Sequence, residues 1–73
     1  MRRMTKTTKA NIEVADKIVM QEADAGNEFF VKLYRDGKLA YVSDIHGPIT
    51  YGTVTEARRA IRRIRKDIEP VTI

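Results

Sequence analysis

The fold is decided by the stretch from Thr53 to Glu69, TVTEARRAIRRIRKDIE, which carries the best apolar stripe and the densest positive charge of the chain. Thr53 followed by Glu56 is typical of a capping box, in which the hydroxyl accepts the N3 amide and the carboxylate reaches back to the cap amide. Because the residue before a proline is biased away from helical geometry, Pro70 is expected to end the element. The pattern therefore predicts a helix over residues 53–69.

The apolar residues of this stretch recur at steps of three and four, as one face of a helix requires. The stripe consists of Val54, Ala57, Ile61, Ile64 and Ile68, with Ala60 beside it. The remaining arc is basic and carries Arg58, Arg59, Arg62, Arg63, Arg65 and Lys66. Cations at these spacings repel one another when no acid separates them. Such an arc is either the solvated flank of an amphipathic helix or a surface for an anionic partner, and we favour the partner.

Length and composition limit the classes of function. The chain has 73 residues and no cysteine, which fits one small domain without disulfides or Cys-based zinc sites. A core of this size gives a net stability of about 3–5 kcal/mol. Fourteen basic against ten acidic residues leave a net charge of +4, which favours an anionic partner.

Hydropathy along the chain gives an expectation about its compartment. No apolar run is long enough for a signal peptide or a membrane span. We therefore expect a cytoplasmic protein with no membrane partner. We also expect it to be a monomer.

The first ten residues have no apolar period and no acid. Their four cations are Arg2, Arg3, Lys6 and Lys9. We interpret residues 1–10 as a flexible basic tail that gains order on a partner, followed by a single small α+β domain over residues 11–73.

The segment 11–24, NIEVADKIVMQEAD, fits two interpretations. Its apolar residues match either a helix ending at Gly26 or alternating strands. We favour a strand at about 17–23, because the helical alternative would scatter Val14, Ile18 and Met20 around the cylinder.

Two strand-like runs, EFFVKLYR and KLAYVSD, are joined by Asp36-Gly37, the dipeptide typical of a type I′ hairpin turn. Placing Arg35 opposite Lys38 sets the register and puts Phe30 opposite Ser43. One face is then apolar and carries Phe29, Val31, Leu33, Ala40 and Val42. The other face is mixed and carries Phe30, Lys32, Tyr34, Leu39, Tyr41 and Ser43.

These elements predict the fold class. Residues 49–51 form a further short strand, and residues 71–73 either pair with a sheet edge or fray. The apolar hairpin face matches the helix stripe as a packing partner. We therefore predict an α+β domain, a small antiparallel β-meander of three to four strands with one C-terminal amphipathic helix packed on one face.

No catalytic constellation is visible in the sequence. His46 is the only histidine and lies in a Gly-Pro turn region, without a nucleophile in triad order. Asp44 and His46 supply two metal ligands where a stable site wants three or four. The glycines form neither a phosphate loop nor a dinucleotide fingerprint. We therefore predict no enzymatic activity, no cofactor and no metal.

The mixed hairpin face is a second candidate contact surface, with Phe30, Tyr34 and Tyr41 around Lys32. Aromatic side chains on an open sheet can stack bases or anchor a protein interface. We favour protein contact, because base-stacking sheets usually bring a glycine-rich signature that is absent here.

Two resemblances add to this interpretation. RDGKLAYVSD and GTVTEARRAIRRIRK, a DG hairpin followed by a Thr-x-x-Glu-Ala cap and a basic helix, resemble small bacterial ββα modules and the N-terminal arm-binding domains of phage integrases over residues 28–68. The whole chain, by its length, its MRRMTKTTK opening and its basic domain, resembles the small RNA-polymerase-binding transcription regulators of Xanthomonas lytic bacteriophages.

The second resemblance implies a non-enzymatic protein that binds bacterial RNA polymerase. Such a regulator inhibits initiation by interfering with σ-factor engagement near the RNA exit channel, and promotes antitermination. The resemblance assigns no residues. The predicted partner-binding residues therefore come from residue chemistry: the tail cations, the aromatic hairpin face with Lys32, and the basic helix arc. Two alternatives remain, a small nucleic-acid-binding module using the basic helix and an accessory domain without a fixed partner.

Overall fold

The chain folds into two layers, a twisted sheet with two helices against one of its faces. The structure, a computed structural model, describes residues 3–24 and 26–73. The elements in chain order are α1 (Lys6–Val14), β1 (Lys17–Glu22), β2 (Phe29–Arg35), β3 (Lys38–Tyr41), β4 (Ser43–Asp44), β5 (Gly47–Pro48), β6 (Thr50–Tyr51), α2 (Val54–Arg62) and β7 (Val71–Thr72). The predicted α+β class with a C-terminal helix is confirmed.

The sheet has the strand order β3-β2-β1-β7. β1 and β3 flank β2 in antiparallel pairing, and β7 adds to β1 in parallel at Val19–Val71 and Met20–Thr72. β6 pairs with the first two residues of β2, so β3 and β6 occupy the same edge of that strand. Between them, β4 and β5 form a small separate hairpin. The N–H of Ile49 donates to the carbonyl of Val42 (2.9 Å) and closes the base of this excursion.

The β2–β3 hairpin agrees with the predicted turn and with most of the predicted register. Asp36 and Gly37 have φ angles of 50° and 78°, the two positive values that a type I′ turn requires. The pairing runs from Arg35–Lys38 to Lys32–Tyr41, as the sequence predicted. The carboxylate of Asp16 accepts the N–H of Asp36 (2.9 Å) and holds the turn against the start of β1.

The predicted pairing of Phe30 with Ser43 is wrong, because Phe30 pairs with Thr50. The backbone of Ser43 is bound instead by the start of α1. Its N–H donates to the hydroxyl of Thr8 and its carbonyl accepts from the N–H of Thr5, both at 3.1 Å. These two bonds direct the chain away from β2 after Val42.

The core lies between the inner sheet face and both helices. Its buried residues are Ile12, Ala15, Ile18, Met20, Val31, Leu33, Val42, Ile49, Ala57 and Ile61. The predicted apolar stripe is confirmed: Ala57 and Ile61 are fully buried, and Val54, Ile64 and Ile68 pack partly buried against the same cluster.

The structure differs from the predicted flexible tail at residues 6–10, which form the first half of α1. Thr5 caps this helix by accepting the N–H of Thr8 (3.1 Å), while Thr8 and Ile12 are buried. Ile12 is the only large apolar residue that this helix buries, so the sequence of the helix shows no apolar periodicity from which it could be predicted. Met1 and Arg2 of the predicted tail lie outside the described residues. The strand predicted at about 17–23 is present as β1.

Helix α2 begins as predicted, since the hydroxyl of Thr53 accepts the N–H of Glu56 (3.1 Å). It ends at Arg62, so the prediction of a helix reaching residue 69 is wrong. Beyond Arg62 the chain leaves the helix, and Val71 pairs with Val19 on β1.

The bond between Thr8 and Ser43 is testable by substitution. In a Thr8→Val variant the hydroxyl is lost at nearly constant volume, and the partly buried N–H of Ser43 keeps no acceptor from α1. We expect the free energy of unfolding to fall by about 1–3 kcal/mol. Urea denaturation measures this. The matched control is Thr7→Val, an exposed threonine of the same helix, which should change stability by less than about 0.5 kcal/mol. Equal effects of the two substitutions would contradict the assignment.

Candidate functional site

A groove forms where the segment leading into α1 meets the exposed flank of α2. It encloses about 640 Å³. Its lining residues are Arg3, Met4, Lys9, Tyr51, Glu56, Arg59, Ala60, Arg63 and Ile64. We call this surface the basic groove. It brings two parts of the chain together that are about 50 residues apart in sequence, both of which were predicted to contact a partner.

The basic groove has cationic rims and an apolar floor. Arg59 and Arg63 are exposed on the α2 side and lie four residues apart, which places their Cβ atoms about 5–6 Å from each other. Arg3 and Lys9 are exposed on the α1 side. The floor is partly buried and consists of Met4, Tyr51, Ala60 and Ile64.

The rim cations are available for a partner. Within residues 3–24 and 26–73, no carboxylate lies at ion-pair distance from any of the four. Glu56 is the one acidic residue among the lining residues. The groove therefore has a surplus of three positive charges, on a chain whose net charge is +4. Most of the net positive charge of the protein is thus concentrated here.

Two arginines of the predicted partner-binding arc are instead paired within the molecule. Arg58 Nε lies 3.3 Å from Glu69 Oε1 without hydrogen-bond geometry, and Arg62 Nη2 donates to Glu69 Oε2 at 3.2 Å. The chain beyond α2 folds back and places one carboxylate between two guanidinium groups. Because all three side chains are partly or largely exposed, these pairs add little stability. They do reduce the charge that Arg58 and Arg62 can offer to a partner.

Arg65, which was predicted to bind a partner, makes hydrogen bonds within the molecule that give it a structural role. Its Nη1 donates to the carbonyls of Ile12 (3.1 Å) and Ala15 (2.7 Å), where α1 ends. The last carbonyls of a helix have no partner within the helix, so this guanidinium caps α1 from a distance of 50 residues or more in sequence. Only 22% of the side chain is exposed.

The same arginine changes the titration of Asp67. Arg65 Nε donates to Asp67 Oδ1 at 2.8 Å, and this hydrogen bond lowers the pKa of the carboxyl below its ordinary value of 3.8. A lowered folded-state pKa means that the interaction contributes above pH 3.8 and is lost as the pH falls through the lowered value. At neutral pH the pair is therefore fully charged and holds Arg65 in position.

The remaining predicted residues divide into three groups. Lys6 on α1 and Lys66 beyond α2 are exposed and do not line the groove, and Arg2 lies outside the described residues. Phe30, Lys32, Tyr34 and Tyr41 lie together on the sheet face opposite the helices, which we call the outer sheet face. Phe30 and Tyr41 pack edge to face, with ring centroids 6.0 Å apart at 72°. Leu39 and Tyr41 are exposed on this face, so it offers a partly apolar surface.

His46 lies exposed in the turn between β4 and β5. Asp44 Oδ1 accepts its backbone N–H at 2.7 Å, so these two residues form a local turn. In the described ranges, no three metal-ligating side chains cluster together. No helix there has the length and apolar character needed to cross a membrane.

Sequence reasoning missed the apolar floor of the basic groove. It assigned Ile64 to the helix stripe and left Met4 and Tyr51 without a role. The available signal was Ala60, a small residue on the basic side of the stripe, because a small side chain between arginines leaves space for an occupant. Met4 lines the groove because α1 replaces the predicted tail and fixes the segment before it.

Comparison of the chain with protein-family models, with curated proteins and with solved structures finds no match.

The structural role of Arg65 can be tested against its exposed neighbour. In an Arg65→Lys variant the charge remains, but a single ammonium cannot reproduce the planar fork that contacts Asp67 and two carbonyls. We expect a loss of about 1.5–3 kcal/mol in the free energy of unfolding, because these hydrogen bonds involve a charged donor. The matched control is Arg63→Lys in the groove, which should be neutral in the same denaturation experiment. A stable Arg65→Lys variant would return Arg65 to the partner-binding residues.

Proposed function

We propose that the protein is a non-enzymatic regulator that acts in the cytoplasm by binding an anionic surface of a larger assembly through the basic groove. The observation that carries this proposal is the convergence of Arg3 and Lys9 from one end of the chain with Arg59 and Arg63 from the other, four cations without an ion pair among the described residues. Like charges repel, so gathering four cations around the single carboxylate of Glu56 costs stability, and an anionic partner would offset that cost.

The proposed partner is bacterial RNA polymerase, as the sequence resemblance implies. A domain of 73 residues can regulate such an enzyme by occupying a surface that σ factor or an RNA hairpin needs. In this proposal the protein inhibits initiation by interfering with σ-factor engagement and promotes antitermination during elongation.

Two surfaces support a contact with a large assembly. The basic groove lies on the helical layer, while the outer sheet face with Phe30, Tyr34 and Tyr41 points to the other side of the domain. A protein with two opposed contact surfaces can bridge two elements of its partner. The second contact is then made at a high effective concentration and raises the overall affinity.

A second candidate function is binding to nucleic acid. It is favoured by Arg59, Arg63 and Lys66, which are exposed and have no carboxylate at ion-pair distance within the described part of the chain. Such cations can neutralise phosphates, and binding of this kind weakens steeply as salt is raised.

The experiment is a titration of labelled protein with purified bacterial RNA polymerase, and in parallel with duplex DNA and RNA, at low and raised salt. We expect a polymerase complex that survives raised salt. Arg59→Glu/Arg63→Glu should weaken it by about tenfold or more, equivalent to about 1.4 kcal/mol. Both side chains are exposed, so the variant should stay folded, which circular dichroism checks.

The matched control is Arg35→Glu/Lys38→Glu, which makes the same charge change at the tip of the β2–β3 hairpin. These residues line a different depression, and that depression has no lining residue in common with the basic groove. Equal losses in both variants would indicate attraction by net charge alone. Salt-sensitive binding to nucleic acid without a polymerase complex would replace the first function with the second.

A further inference from the structure

We propose that the basic groove receives an acidic amphipathic helix of a partner protein. This inference rests on the proposed function, because it names the chemistry of the partner at the same site. It does not depend on which protein supplies the helix.

The floor of the groove requires an apolar occupant. Met4, Ala60 and Ile64 have no side-chain hydrogen-bonding groups, and each is partly buried before anything binds. The groove is open to solvent along its length, and its volume of about 640 Å³ gives room for a row of apolar side chains. An occupant made of charge alone would leave this floor in contact with water and gain nothing from it.

The rims require negative charge on both sides of that apolar surface. Arg59 and Arg63 form one rim, and Arg3 and Lys9 form the other. A helix with an apolar stripe flanked by carboxylates presents this arrangement. Carboxylates four residues apart on such a helix have the same spacing as Arg59 and Arg63 on α2, so two adjacent ion pairs can form along one rim. An amphipathic helix laid in a groove is an established mode of peptide recognition.

The same features disfavour a nucleic-acid strand at this site. Single strands bind where several rings stack successive bases, whereas Tyr51 is the one aromatic residue of the lining. Glu56 lies one turn before Arg59 and Ala60 on α2, so a carboxylate stands at one end of the cationic rim. A phosphate backbone carries charge at every nucleotide and would be repelled there. A peptide can place a neutral or basic residue opposite Glu56.

The test uses three fluorescein-labelled probes with the full chain. The first is a synthetic peptide of about 15 residues, long enough to begin forming a helix, with a leucine stripe flanked by glutamates on both sides. The second has the same composition in scrambled order, so that the charge is kept and the stripe is lost. The third is a single-stranded oligothymidine of comparable charge. Fluorescence anisotropy measures the affinity for each.

We expect the amphipathic peptide to bind about tenfold more tightly than the scrambled peptide and than oligothymidine. Arg59→Glu/Arg63→Glu should abolish binding by removing one rim. Ala60→Gln should weaken it severalfold, because a longer polar side chain fills the floor while the rim charges remain. Arg35→Glu/Lys38→Glu should bind as the unmodified protein does.

Three results would overturn the inference. Equal affinity for the ordered and scrambled peptides, or tightest binding of oligothymidine, would make the groove a general polyanion site. If the peptide does not bind but the polymerase complex still forms, the groove does not receive a partner helix, and the proposed function is unaffected. Peptide binding that depends on Ala60 without any polymerase complex would support the inference and reject the proposed function.

Discussion

The structure depends on the burial of one sheet face by two helices that are too short to be stable alone. α1 and α2 have nine residues each, whereas isolated helices shorter than about 12–15 residues are marginal in water. Ile12 and Ile61 are fully buried in the same cluster as Val31 and Leu33 of β2. The helices therefore form because they pack against the sheet, and the sheet has a dry face because the helices cover it.

Sequence reasoning succeeded where structure is set by near neighbours and failed where it is set by distant ones. The Asp36-Gly37 turn, the register beside it and the Thr53 cap depend on residues a few positions apart, and each was predicted. The attachment of α1 to the end of the hairpin depends on Thr8 and Ser43, which are 35 positions apart, and the end of α2 is followed by the bonds of Arg65 to α1, some 50 positions away. No local period contains that information. The aromatic hairpin face was predicted as a group, and its residues do share one surface.

The basic arc illustrates how tertiary structure divides a uniform pattern of charge. Six cations looked equivalent in sequence, yet three of them form ion pairs with two carboxylates beyond α2, Glu69 and Asp67. Arg65 donates hydrogen bonds to the carbonyls at the end of α1, while Arg59 and Arg63 border the apolar floor of the basic groove. This division follows from the reversal of the chain after Arg62. The residues that remain free for a partner could therefore not be selected before the end of the helix was known.

The excursion formed by β4 and β5 limits how the sheet can associate with other chains. A continuous free edge beside β2 would present a long row of unpaired N–H and C=O groups, which favours addition of strands from other molecules. Here the edge is divided between the four residues of β3 and the two of β6, with Pro48 in the excursion lacking an N–H. An exposed apolar sheet face beside such an edge carries less risk of fibrous aggregation. The protein can therefore keep aromatic side chains accessible in solution at a modest cost in colloidal stability.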